Sequence, residues 1–244
     1  MKKITKNKGL IIKTMDYKEN AVIATIFTDS KKVSCIIKGA KKLNSSTRRI
    51  AQPLTLIDFN YTESNSLGVL TEAVVLDNYT SLKEDLDKYY IVLSVLEKLN
   101  YFLDQITDYP TLFNFILEIL ELMKNKNHDK ILSLIFEVKL LYLLGVSPSF
   151  KSCPLCNKAI LNGALLISSG GFICDDCIKK RTPSLTKEES SFLKLLYKTK
   201  IKDLSDEIIS KELKYPKIYD VIDEYYAYHL DFESKVKKII KKIG

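Results

Sequence analysis

Two cysteine pairs constrain this chain more than anything else in it. Cys153-Pro-Leu-Cys156 and Cys174-Asp-Asp-Cys177 stand seventeen residues apart. Each Cys-x-x-Cys makes a tight turn that aims two sulfurs at one point, and two such turns at this separation have the spacing of a four-thiolate zinc site. The residues between them can bring the second pair back to the first. Ala164-Leu165-Leu166-Ile167 and Phe172-Ile173 are short apolar runs around Ser168-Ser169-Gly170-Gly171, which is a hairpin pattern. Two disulfides are the competing arrangement. They suit an oxidising compartment, and no apolar signal core follows the basic start Met1-Lys2-Lys3-Ile4-Thr5-Lys6. A redox motif of the thioredoxin kind needs one pair inside a strand–helix alternation, not two facing pairs. Four thiolates fill a tetrahedral shell and leave no position for water or substrate. The expectation is one structural zinc per chain on Cys153, Cys156, Cys174 and Cys177. The insert that carries it, at about residues 150–181, would fold a piece of chain and perform no chemistry.

The charge is unevenly spread. Of the net +8, residues 1–50 carry thirteen Lys and Arg against three acids, whereas residues 51–150 carry seven against fourteen. Residues 151–200 return to nine against four, and the rest balance at nine against nine. Positive charge gathered at one end points to a polyanion rather than to general solubility. Nucleic acid fits better than a membrane surface, because no basic amphipathic helix accompanies the basic stretch and no apolar run approaches the ~20 residues of a spanning helix. With 46% apolar residues the chain can bury a core. The reading is a cytoplasmic protein.

Residues 1–80 read as β structure. Leu10–Ile12, Ala21–Phe27, Val33–Ile37, Pro53–Tyr61 and Leu67–Leu76 are apolar or alternating runs at roughly ten-residue spacing, with polar turns between them. Five short strands in this length fit a small closed barrel. An OB-fold leads and an SH3-like barrel follows; periodicity does not choose between them. Cys35 lies inside the third run as an expected buried strand residue. From Leu82 the period becomes helical. Leu86, Tyr89, Tyr90, Leu93, Leu96 and Leu103 lie on one stripe, a second helix spans about 111–124 after Pro110, and a third, about 129–144, is apolar nearly all round and should be central. Gly145 and Pro148 stop it. After the cysteine insert, Thr186-Lys187-Glu188-Glu189 reads as a capping box opening a helix to about Lys198. A last helix from near Pro216 carries Ile218, Ile222, Tyr225, His229, Phe232, Val236, Ile239 and Ile243 on one stripe. The fold class is α+β: a five-stranded barrel at 1–80, then a helical domain at 81–244 interrupted by the cysteine insert.

Between the third and fourth strands lies Lys38-Gly39-Ala40-Lys41-Lys42-Leu43-Asn44-Ser45-Ser46-Thr47-Arg48-Arg49, with five cations and no acid. Gly39 allows a turn, and Asn44 or Ser45 suits the cap of a helical turn carrying Arg48 and Arg49. Lys38, Lys41, Lys42, Arg48 and Arg49 are the candidate phosphate contacts, supported by Lys2, Lys3, Lys6, Lys8, Lys13, Lys31 and Lys32 on the strands. A solvated loop is the plainer account of the same run. The barrel region holds only Tyr17, Phe27, Phe59, Tyr61 and Tyr79 as aromatics. Such a surface would hold phosphates and leave bases free to pair, whereas sequence-tolerant single-strand binders stack bases on aromatics. His128 and His229 read as capping or core residues. No phosphate loop, His-Glu-x-x-His or Gly-x-Ser-x-Gly is present, so no enzyme activity has a residue to rest on.

Ile37-Lys38-Gly39-Ala40-Lys41-Lys42, Gln52-Pro53-Leu54 and Leu67-Gly68-Val69-Leu70-Thr71-Glu72-Ala73, followed by helices, a four-cysteine insert and more helices, resemble the bacterial RecO family of recombination mediators along the whole chain. That resemblance implies an OB-fold that binds single- and double-stranded DNA and anneals complementary strands. It also implies partnership with RecR and single-stranded DNA-binding protein, help in loading RecA within the RecF pathway of DNA repair and recombination, and a place at the nucleoid. It carries the zinc over, since all four cysteines are kept. The alternative of another class is a zinc-ribbon adaptor, or an RNA-binding accessory, acting through protein contacts.

Overall fold

The computed structural model describes residues 4–42, 47–62, 67–125, 128–211 and 214–243. They form two compact units, residues 1–125 and 126–244. The first unit is built on β1 (Ile4–Tyr17), β2 (Ala21–Thr28), β3 (Lys32–Lys38), β4 (Thr55–Thr62) and β5 (Gly68–Asp77). They close a barrel in the order β1-β2-β3-β5-β4. The helical turn α1 (Thr47–Ile50) lies between β3 and β4. β3 and β5 close the seam as a short parallel pair, Cys35 opposite Gly68 and Ile36 opposite Val69. This is the OB-fold arrangement, so the SH3-like alternative falls away.

The alternation visible in the sequence sorts the barrel's inside from its outside. Val22, Ala24 and Ile26, then Val33, Cys35 and Ile37, then Ile57, Phe59 and Tyr61 point inward and pack together. Burial pushes the Cys35 thiol up to about 12, as an inert core cysteine requires. β1 is much longer than the run Leu10–Ile12. Its first half pairs with β4 and its second half with β2, and the register slips between Ile11 and Lys13. That bulge bends one strand so that it serves both neighbours. The polar flanks show no strand signal because pairing, not propensity, holds them. Outward-facing Phe27 is covered in turn by Phe113 and Tyr109 of α4 (Tyr109–Asn125), at 5.2 and 5.8 Å between ring centroids.

The helical stretch that begins near Leu82 is two helices, α2 (Thr80–Glu84) and α3 (Leu86–Phe102), and the stripe from Leu86 lies on the second. Asp85 breaks them, and its side chain accepts from the Lys88 amide at 3.1 Å. Leu86, counted on the stripe, is 68% exposed for that reason: it sits in the first turn beyond the cap.

In the second unit α5 (Asp129–Leu143) is buried along most of its length, as its all-round apolarity predicts. Its end is a Schellman turn. Gly145, at φ 73°, donates to the Tyr142 carbonyl, and Val146 donates to that of Leu141. The short strands β6 (Ala164–Leu166) and β7 (Gly171–Ile173) pair as the expected hairpin, followed by the helical turn α6 (Asp175–Ile178). α7 (Lys187–Lys198) opens with the capping box: Thr186 Oγ1 accepts from the Glu189 amide, and the Glu189 carboxylate accepts from the Thr186 amide. Thr186→Ala should cost about 1 kcal/mol, read as a lower denaturant midpoint with an unchanged slope.

The last stripe also proves to be broken. A short α8 (Asp206–Ser210) precedes α9 (Lys217–Leu230), and α10 (Lys235–Ile243) follows only after Asp231 has turned through φ 50°. The three-four spacing runs on through the break and so conceals it. The signal was Ser234, whose hydroxyl accepts from the Lys237 amide and starts α10. Lys237 then reaches Glu137 of α5 at 3.0 Å and Asp223 of α9 at 2.7 Å. Burial works against its ammonium, but these two carboxylates outweigh burial and raise its pKa. α10 is moreover a basic amphipathic helix, with Lys at 235, 237, 238, 241 and 242 and apolar residues at 236, 239, 240 and 243. No helix among the described residues is long and apolar enough to cross a membrane.

Candidate metal centre and nucleic-acid loop

The cysteine centre is assembled from two turns. In the first, the Asn157 amide donates to the Cys153 carbonyl and the Cys153 amide to the Lys158 carbonyl. Asn157 takes φ 62°, which an asparagine tolerates. In the second, Cys174 precedes α6, and the Cys177 and Ile178 amides both donate to its carbonyl. All four sulfurs lie within 4.8 Å of one another, with Cys156 and Cys174 at 3.5 Å. Four sulfurs at ~2.3 Å from a central ion stand about 3.8 Å apart, so the donor set fits one tetrahedral metal. Burial raises the Cys153 pKa, but hydrogen bonds from the backbone amides of Cys174, Leu155 and Cys156 outweigh it and bring the thiol down to about 6. Cys177 is pushed up to about 12, by burial first and then by the neighbouring sulfurs. Of these two, Cys153 is the readier to give up its proton, and metal binding to thiols releases protons.

What the sequence did not show is how firmly the hairpin is tied to its surroundings. Ser190 Oγ of α7 accepts from the Leu165 amide at 2.8 Å in a buried bond. Ser184 Oγ accepts from the Ile167 amide, and His229 Nε2 of α9 donates to the Ile167 carbonyl at 2.8 Å. His229, read from its apolar stripe, is thus a positioning hydrogen bonder stacked on Tyr225. His128 stands at the start of α5 without making a side-chain cap.

In the barrel, Lys38 ends β3, Gly39 turns at φ 72°, and Lys41 and Lys42 follow. Ala40 and Ile50 are buried and pin both sides of the loop, and Thr47 Oγ1 donates to the Lys38 carbonyl at 3.3 Å. Arg48 and Arg49 are exposed on α1. The caps expected at Asn44 or Ser45 lie outside the described residues. All five candidate cations thus emerge from one loop with anchored ends. The run itself contains no acid, but the fold supplies one: Asp16 of β1 pairs with Lys41 at 2.8 Å. The register sets Lys38 opposite Ala21, beside the β1–β2 turn, and so adds exposed Lys18, which sequence reasoning missed. Lys32 lies at the far end of β3, about 20 Å along the strand, and pairs with Asp104. Lys31 precedes it. Those two do not join the loop. Lys8 and Lys13 are exposed on β1; Lys2 and Lys3 lie outside the described residues. Phe27, Phe59, Tyr61 and Tyr79 are all buried, which leaves Tyr17, half-buried, as the barrel's one surface aromatic among the described residues.

Family models for the Recombination protein O N terminal and C terminal match residues 1–79 and 83–238. The chain belongs to the RecO family of DNA repair proteins. It is 32% identical over 227 residues to the DNA repair protein RecO of Clostridium novyi, covering 92% of this chain and 88% of that one. To the RecO of Syntrophomonas wolfei it is 29% identical over 217 residues, 86% of this chain and 87% of the relative. To that of Bacillus subtilis it is 26% identical over 244 residues, 98% and 95%. RecO membership makes DNA repair the setting in which the two sites are to be understood.

Proposed function

We propose that this protein binds single- and double-stranded DNA through the barrel loop and anneals complementary strands. With RecR it would help load RecA on strands coated by single-stranded DNA-binding protein. The observation that carries this reading is the barrel surface, where cations are exposed and aromatics are buried. It holds backbones and leaves bases to each other. Lys38, Lys41, Lys42, Arg48 and Arg49 are the phosphate contacts. Residues 1–80 handle DNA, and the helical remainder, with zinc on its four cysteines, serves protein partners. In this reading the protein acts by holding strands and consumes no nucleotide. The working compartment is the cytoplasm, at the nucleoid.

Mixing two complementary oligonucleotides with and without the protein tests this. Pairing should accelerate, should continue on strands coated by single-stranded DNA-binding protein, and should slow steeply with salt because the contacts are ionic. Strand binding that never speeds pairing at any salt would leave the adaptor reading in its place.

A further inference from the structure

The barrel hides its aromatic side chains, but the second unit displays a row of them. Tyr142, in the last turn of α5, is 61% exposed. It meets Tyr197 of α7 edge-on at 6.0 Å between ring centroids. Tyr197 lies tilted on Phe150 at 4.6 Å, and Phe150 packs against buried Phe172 of β7 at 4.9 Å. The row therefore starts on the cysteine hairpin and ends with a ring in solvent.

Two half-buried lysines hold the row in place. Lys139 Nζ donates to the Tyr197 carbonyl at 3.1 Å, and Lys194 Nζ to the Phe150 carbonyl at 3.5 Å. Three others follow the rings in sequence: Lys151 after Phe150, and Lys198 and Lys200 after Tyr197. All three are exposed, and among the described residues none forms an ion pair. Asp203, in the turn after Lys200, is the nearest acid in sequence; the others are elsewhere. Glu137 is buried with Lys237, and Glu188 and Glu189 are in the first turn of α7, at the opposite end from Tyr197.

We propose that Tyr142 and Tyr197 form a stacking platform for unpaired bases of a single DNA strand, with Lys151, Lys198 and Lys200 on its phosphates. A single strand is the ligand that offers both halves of this surface a partner, an aromatic face for each ring and an anionic backbone for the cations; a duplex hides its base faces. Stacking occupies the face of a base and leaves its pairing edge open, so a strand held here can still find its complement. The inference rests on the reading that the protein handles DNA strands, but it places a second contact in the other unit, independent of the barrel loop.

The test uses the full-length protein. An oligothymidylate carrying 5-iodouracil, irradiated in complex, should crosslink to Tyr142 or Tyr197. Tyr142→Ala, an exposed substitution whose folding a melting curve verifies, should weaken oligothymidylate binding roughly five- to hundredfold while leaving its salt slope and duplex affinity unchanged. Tyr142→Phe should bind normally. Replacing Lys198 and Lys200 with Ala should instead flatten the single-strand salt slope by about 0.7 each. Wild-type affinity in Tyr142→Ala, with no crosslink at either ring, overturns the proposal. So does a Tyr142→Ala protein that keeps the strand but loses an aspartate-rich peptide, since the surface is then a peptide dock. Charge reversal at Lys41 and Lys42 addresses the barrel reading separately, and crosslinking at Tyr142 that survives it tells the two failures apart.

Discussion

Cys153→Ser should yield a protein without zinc whose second unit is open to protease while residues 1–125 stay folded. The wild type should carry one zinc per chain by elemental analysis under reducing conditions. Structural zinc in small domains is worth ~10–16 kcal/mol of apparent binding free energy at neutral pH, and that binding is at the same time folding. The hairpin is held by buried Leu165, Phe172 and Ile173, but the two cysteine turns around it have little regular structure of their own beyond one helical turn, and their sulfurs are exposed or half-exposed except for Cys153. Loss of metal should therefore show first as cleavage within residues 150–181. The damage should then spread along the bonds from Leu165 to Ser190 and from Ile167 to His229, which tie the hairpin to α7 and α9. Acid should mimic the substitution, because protons compete with zinc for the thiolates and release it as the pH falls. Absence of zinc from reduced, purified wild type would defeat the assignment.

The cysteine centre was legible in the sequence because its whole logic is local: two tight turns, a hairpin and a fixed spacing. The capping box at Thr186 and the Schellman turn at Gly145 were legible for the same reason. What stayed hidden depends on register, which no local pattern contains. The bend of β1 at Ile12 appears only once both neighbouring strands are in place. The break at Asp231 was masked because four residues of turn kept the three-four rhythm of the apolar stripe. Lys31 and Lys32 looked like part of the basic surface, yet a seven-residue strand carries them to the other end of the barrel from Lys38. Asp16, separated from Lys41 by twenty-five positions of sequence, was invisible as its partner.

That last pairing sharpens what the barrel loop should do. Changing Lys41 and Lys42 to Glu should abolish annealing and weaken single-strand binding on the order of tenfold or more, equally for all sequences. If about four of the five cations meet phosphates, the loop should contribute about −3 to the slope of log affinity against log salt, at about −0.7 per contact, and the double variant should lose about half of that contribution. The fold should be indifferent: Lys42 is exposed, Lys41 is at the surface, and a surface ion pair such as Lys41–Asp16 contributes only ~0–1 kcal/mol. Asp16 makes the two positions unequal. In the folded protein it already neutralises Lys41, so Lys41→Glu sets two carboxylates side by side on the surface of the loop, whereas Lys42→Glu adds only one isolated charge. The first single variant should therefore be the more damaging. Asp16→Asn should do the reverse, freeing Lys41 and tightening strand binding while steepening its salt dependence. Filter binding or fluorescence anisotropy at several salt concentrations reads all four proteins on one scale. An unchanged slope in the double variant would mean that these charges only solvate the loop, and the DNA-binding surface would then have to be sought among the exposed lysines of the second unit.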